Sequence, residues 1–93
     1  MRTITVIIGN SDNKLSQIEW HGFVSRVEMI IRNRADAIHF FGGPENWSLY
    51  QNVAFVFACH DDGIDNIRDV LQAERLHWRQ DSIAYIEGET ELL

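Results

Sequence analysis

The chain has 93 residues, 45% of them hydrophobic and 24% charged, and its net charge at pH 7 is −6. Length and composition predict one globular domain over residues 1–93 and argue against disorder. The acidic balance argues against nucleic acid as a partner, because phosphate binding needs a basic surface.

Cysteine content and hydropathy indicate the cellular compartment of the protein. A single cysteine, Cys59, rules out an internal disulfide and suits a reducing environment. No apolar run approaches the length of a membrane span, and no charged-then-apolar leader precedes the first strand. The sequence therefore predicts a cytoplasmic protein with no membrane partner.

The start of the first helix carries the strongest local signal. Ser16 is placed as the N-cap, and Glu19 follows three residues later, as in a reciprocal capping box. Leu15 and Trp20 occupy the two positions of a hydrophobic staple. Apolar residues then recur every three or four positions, which predicts an amphipathic helix ending near Asn33.

The remaining elements follow from alternation and spacing. Strands are predicted over residues 3–9, 37–41, 51 or 52 to 59, and 82 to about 89. A second helix, capped by Asp61 or Asp62, lies between the last two strands. The order βαββαβ with right-handed crossovers favours one compact α+β arrangement, the ferredoxin-like sandwich. Its sheet has four antiparallel strands, and both helices cover the same side.

The second side of that sheet is also apolar. The third strand carries Phe55 and Phe57 on one side but Ala54 and Val56 on the other. Because an exposed apolar patch is rare on a monomer, we expect a homodimer through the open sheet face, with a different protein partner as the second explanation. The residues predicted for this interface, from the strands and the loop between them, are His39, Phe41, Trp47, Tyr50, Ala54 and Val56.

Strict alternation along the second strand decides which of its residues belong to that interface. It assigns His39 and Phe41 to the open face, and Ile38 and Phe40 to the helix side. The loop aromatics fit a binding hot spot, although they could instead fold back as a lid over the end of the sheet.

A polar cluster is predicted at one edge of the sheet. The loop over residues 9–17 joins a strand end to a helix N-terminus, where free amides attract anions. The fourth strand runs antiparallel beside the first, so the start of one lies near the end of the other. The candidate ligand-binding residues there are Asn10, Ser11, Asp12, Lys14, Gln80, Asp81 and Ser82. A capped turn and a hydrogen-bonded brace are the structural alternatives.

Other reactive residues form no recognisable constellation, so no catalytic residue, metal site or cofactor is predicted. The four histidines lack the short paired spacings of metal ligands. His39 is a candidate general base only if the open face encloses a cavity. Glu87, Glu89 and Glu91 alternate and predict an acidic face, which could bind a cation or basic partner or simply be solvated.

Several segments carry a family resemblance. They are Ile8 to Asp12, Lys14, Leu15, Gln17, Glu19, Trp20, Phe40 to Gly42, Tyr50 to Asn52, Gln80 to Ala84 and Glu87 to Glu91. Over nearly the full chain they resemble a group of small proteins of unknown activity encoded by bacteriophages of actinobacteria and by their hosts. A fainter similarity, at the helix start and at Gln80 to Ser82, connects the chain with a family of small bacterial proteins of unknown function. The resemblance implies a phage or prophage accessory protein and supplies no catalytic residues.

These observations predict a non-catalytic, self-associating protein-binding module, with a host protein as its hypothesised target. The alternative is a small-ligand-binding protein or a cofactor-free enzyme. The fold resembles that of dimeric α–β barrel proteins, whose paired sheets enclose a pocket used for cofactor-free oxygenation or haem chemistry. The pocket of this alternative would lie at the sheet face or at the edge formed by the 9–17 loop and residues 80–84.

Overall fold

The computed structural model describes residues 1–10, 12–43, 51–91 and 93. Its elements, in chain order, are β1 (Arg2–Gly9), α1 (Gln17–Arg34), β2 (Ala37–Gly42), β3 (Asn52–Cys59), α2 (Asp61–His77) and β4 (Ala84–Glu89). β4 begins two residues later than the sequence predicts. The guanidinium of Arg75 donates to the carbonyls of Gln80 and Asp81 over 3.1 and 3.3 Å, which ties the chain just before residue 82 to the end of α2.

The four strands form one antiparallel sheet in the order β2-β3-β1-β4, which confirms the predicted ferredoxin-like arrangement. β1 and β3 lie at its centre, where Ile4 pairs with Phe57 and Val6 with Phe55. These four side chains are buried, and they form one core with the apolar stripes of both helices. Within the described ranges, no helix is both long and apolar enough to cross a membrane.

The two helices begin in different ways. At α1 the capping box is complete: Ser16 Oγ accepts from the Glu19 amide over 3.2 Å, and Glu19 Oε1 accepts from the Ser16 amide over 3.0 Å. The N-cap of α2 is His60, so the prediction of Asp61 or Asp62 is wrong. Asp36 accepts the His60 amide over 2.8 Å and holds that residue extended. The two aspartates instead occupy the first turn, where carboxylates complement the helix dipole.

β2 contains an irregularity that strict alternation does not foresee. Ile38 pairs with Phe57, but Phe40 pairs with Val56, so the register shifts at His39. One extra residue reverses the side of every residue that follows it. Phe41 consequently lies on the helix side, with its ring centroid 5.0 Å from that of Phe55. The assignments of Phe41 to the open face and of Phe40 to the helix side are therefore wrong.

Candidate functional site

The open face, meaning the side of the sheet turned away from both helices, is the largest candidate surface. Paired residues of antiparallel strands share a side, so the strand register identifies its members. They include Thr3, Thr5, Ile7, Phe40, Ala54, Val56, Ala84 and Ile86, none of which carries a charge. Three of them are large apolar side chains with substantial exposure, at 37% for Ile7, 53% for Phe40 and 57% for Ile86.

Only some of the predicted interface residues are seen on the open face. Ala54 and Val56 lie on the open face, and His39 is the exposed extra residue of the β2 irregularity. Trp47 and Tyr50 lie outside the described residues. Sequence reasoning missed Ile7 and Ile86, although the period of two in β1 and β4 already placed both opposite the buried side.

The area of the open face sets what it could bind. Two strands of six residues form its edges. At about 3.4 Å per residue and about 4.8 Å between strands, the flat area is roughly 400 Å². A patch of that size on a small protein is often functional. An exposed apolar sheet surface of this size suits a second apolar surface.

The edge cluster forms a second candidate site. The end of β1 and the segment before β4 border a pocket of about 300 Å³, lined by Ile7, Ile8, Gly9, Asp12, Asn52, Gln80, Asp81, Ser82 and Ala84. Lys14 Nζ lies 2.9 Å from Asp81 Oδ1 and 3.9 Å from Asp12 Oδ2, which joins the two segments. They meet as the antiparallel pairing predicts. Ligand binding there stays a prediction.

Asn10 holds the loop together and does not line this pocket. Its side chain is buried, its Nδ2 donates to Leu15 O over 3.0 Å and to Gln51 Oε1 over 2.8 Å, and its Oδ1 accepts from Leu15 N over 3.0 Å. It therefore serves as the hydrogen-bonded brace foreseen as a structural alternative. Ser11, its neighbour in the prediction, lies outside the described residues.

The electrostatics of the edge pocket do not favour an anion. Lys14 is engaged with two carboxylates, so Asp12, Lys14 and Asp81 together carry a net negative charge. The α1 N-terminus is occupied by its own capping box, whose Glu19 also accepts from Arg79 Nη2 over 2.8 Å. The hydrogen bond from the Ser16 amide is the main cause that lowers the pKa of Glu19. The Glu19 carboxylate therefore stays ionised at the α1 N-terminus, where an external anion would otherwise bind.

Two reactive side chains elsewhere, Cys59 and His60, are held in structural roles. Burial raises the pKa of the Cys59 thiol, which disfavours the nucleophilic thiolate. His60 Nδ1 lies 2.6 Å from Asp36 Oδ2, and this hydrogen bond raises the pKa of His60 and lowers that of Asp36. Among the residues with assigned positions, no three His, Cys, Asp or Glu side chains gather as metal ligands would.

The predicted acidic face is shorter than expected. Glu87 pairs with Ile4 and Glu89 with Arg2, so both lie on the helix side of the outermost strand. β4 ends at Glu89, which leaves Glu91 beyond the strand.

Comparisons of the chain with protein-family models, with curated proteins and with solved structures found no match. The resemblance to phage-encoded proteins therefore stays a prediction. The function has to be argued from the open face and the edge pocket.

Proposed function

We propose that this protein is a binding module that pairs with a second copy of itself through the open face. One observation carries the proposal: among the described residues, Ile7, Phe40 and Ile86 are exposed on a sheet surface that neither α1 nor α2 covers and that holds no charged side chain. Water is a poor neighbour for such a surface, and a second copy supplies a matching one.

The size of the surface sets the expected strength of pairing. Two faces of roughly 400 Å² would bury about 800 Å² of flat area, which is at the low end for specific interfaces. Small interfaces of this kind usually form transient complexes. We therefore expect a dimer with a dissociation constant on the order of 10–100 μM.

Matched isoleucine substitutions test this proposal. Ile86→Lys places a charge on the open face, whereas Ile18→Lys places the same charge on α1, at a side chain that is already 86% exposed. Sedimentation equilibrium over a wide concentration range should show a monomer–dimer equilibrium for the wild type and for Ile18→Lys. Ile86→Lys should stay a monomer, because the buried ammonium would lose its hydration.

The proposal fails if the wild-type protein sediments as a single 10.8 kDa chain at millimolar concentration. It also fails if Ile86→Lys associates as strongly as Ile18→Lys. Equal association of the wild type and both variants would point to a surface other than the open face.

A host protein is the proposed target of this dimer, as the resemblance to phage accessory proteins implies. Affinity capture from a host lysate with the two isoleucine variants would test it. If one protein is retained by the wild type and by Ile18→Lys but not by Ile86→Lys, the open face is required for binding the target. Capture of nothing by any of them would contradict the target.

A small-ligand-binding role is the second candidate. It is favoured by the pocket of about 300 Å³, whose walls come from the two polar segments of the edge cluster. Native mass spectrometry of the purified protein distinguishes the candidates, because a retained small molecule favours the ligand role and a bare dimer favours the binding module.

A further inference from the structure

A second, smaller pocket lies between α2 and β4, on the side of the sheet opposite to the open face. Its volume is about 120 Å³, and its walls are Arg68, Leu71, Gln72, Ile83 and Tyr85. Leu71 and Ile83 supply apolar contact, while the other three bring hydrogen-bonding groups. None of these residues takes part in the proposed dimer or in the edge pocket.

The hydroxyl of Tyr85 is the first sign that this pocket takes a ligand. It is buried, yet it has no hydrogen-bond partner among the described residues. A buried hydroxyl left unpaired is costly and rare in native structures. Burial, with a contribution from Glu87, raises the pKa of Tyr85 to about 12, so the group stays protonated and needs an acceptor.

Arg68 is the second sign. Its guanidinium carbon lies 5.3 Å from the centroid of the Tyr85 ring. Seven of the eight lysines and arginines hydrogen-bond or pair with a carboxylate, amide or carbonyl oxygen, whereas Arg68 has no such partner within the described part of the chain. The protein carries 14 acidic residues, so a guanidinium without one is unusual here.

We propose that this pocket binds a small carboxylate with an apolar body. Entry of the acid shifts the side chains that cover the Tyr85 hydroxyl, so that one carboxylate oxygen accepts from this hydroxyl. Arg68 neutralises the charge and donates to the second oxygen. The apolar body lies between Leu71 and Ile83. An engineered cavity of about 150 Å³ holds benzene, which has six non-hydrogen atoms, so about 120 Å³ encloses about five such atoms of the acid, and the rest extends toward the exposed Arg68.

The positive charge of Arg68 decides whether the pocket prefers an anion or a neutral ligand. Glu87 and Asp65 both lie close enough to Tyr85 to raise its pKa, so they repel an anion in the pocket. Arg68 opposes them and is the feature that favours a carboxylate over a neutral acceptor. Removal of its charge should therefore abolish the preference for the anion more than it abolishes binding itself.

Isovalerate and isovaleramide are a matched pair of probes, equal in shape and different in charge. Titration followed by amide resonances should give isovalerate a dissociation constant on the order of 1 mM. The shifted resonances should cluster in residues 68–72 and 83–86. Isovaleramide should bind about fivefold or more weakly, since its interaction with the guanidinium is not charge-assisted.

Two variants separate the contributions. Tyr85→Phe keeps the ring but removes the donor, and should weaken isovalerate binding about tenfold. Arg68→Gln should bind the acid no better than the amide, because Glu87 and Asp65 then repel the anion unopposed. Arg32→Gln removes one exposed positive charge from α1 and should leave binding unchanged. Without ligand, Tyr85→Phe should unfold at the same temperature as the wild type or higher, because an unpaired buried hydroxyl is lost.

The proposal is overturned if isovalerate shifts no resonance at about 50 mM, far above the expected dissociation constant. In that case the hydroxyl bonds only an internal water. Shifts scattered over the surface, equal binding of acid and amide to the wild type, or unchanged binding by Tyr85→Phe would overturn it as well. Because the pocket lies apart from the open face, each of these results is independent of dimerisation.

Discussion

Asn10→Ala should destabilise the protein strongly without touching the walls of the edge pocket. The Asn10 side chain is only 1% exposed, and it satisfies both backbone groups of Leu15, a residue that is itself only 3% exposed. Alanine leaves that amide and that carbonyl buried without partners. The third partner of Asn10, the Gln51 side chain, is half-buried and can turn to water.

The size of the loss follows from those two groups. Each buried backbone group left without a partner costs about 1–3 kcal/mol, so the free energy of unfolding should fall by about 3 kcal/mol or more. For a domain of this length, about 3 kcal/mol corresponds to a fall in Tm of roughly 12–24 °C. A loss of this size is a large part of the total stability of a small domain, about 5–15 kcal/mol.

Urea unfolding followed by circular dichroism measures the effect, and the m value must stay constant for the comparison to hold. Asn33→Ala is the matched control, because Asn33 is exposed in the last turn of α1 and should change the free energy of unfolding by less than about 0.5 kcal/mol. A loss below about 1 kcal/mol for Asn10→Ala would refute the brace, since water or the loop would then be satisfying Leu15.

Two further predictions concern pH and backbone packing. Asp36→Asn should flatten the pH dependence of Tm. The raised pKa of His60 gives stability that is present below its usual value of 6.5 and is lost as pH rises through the raised value. The lowered pKa of Asp36 gives stability that is present above its usual value of 3.8 and is lost as pH falls through the lowered value. Thermal scans between about pH 5 and about pH 8 should therefore show a fall for the wild type that the variant lacks, and equal curves would contradict the pairing. Gly43→Ala should destabilise the protein, because the added Cβ would collide with the backbone oxygen of Asn52. Gly88→Ala should be tolerated, because a Cβ there meets no atom of the described residues within 4 Å. Equal unfolding free energies for the two variants would show that residue 43 moves freely.

The features that the sequence predicts well are those whose causes lie within a few residues. The start of α1 needs only Ser16 and Glu19, and both appear at the spacing that the capping box requires. The N-cap of α2 is different, because Asp36, 24 residues earlier in the chain, holds the His60 amide. No local rule could have chosen His60 over the aspartates that follow it.

In the open face and the edge cluster, too, the sequence predicts what depends on local pattern and misses what depends on distant contacts. Alternation would have located Ile7 and Ile86, which the predicted interface did not include, since β1 and β4 pair without interruption. It fails at Phe40 and Phe41, because the register shift is a property of β2 and β3 together and has no signature within β2 alone. Likewise the sequence marks Asn10 as polar and close to a helix start, but its burial depends on contacts with Gln51 across the sheet end.

The distribution of protective features over the sheet favours a closed pair over open-ended assembly. Outer strands of a sheet recruit other strands unless something interrupts their pairing. Here β2 carries its irregularity at His39, and β4 carries Glu87 and Glu89, so both edge strands disfavour pairing with a strand of another chain. Within the four described strands, the open face carries no charged side chain, and the one shift in register lies in β2. A protein whose sheet edges disfavour pairing and whose open face is apolar should associate face to face. Two identical faces that meet about a two-fold axis leave no open face for a third copy to bind.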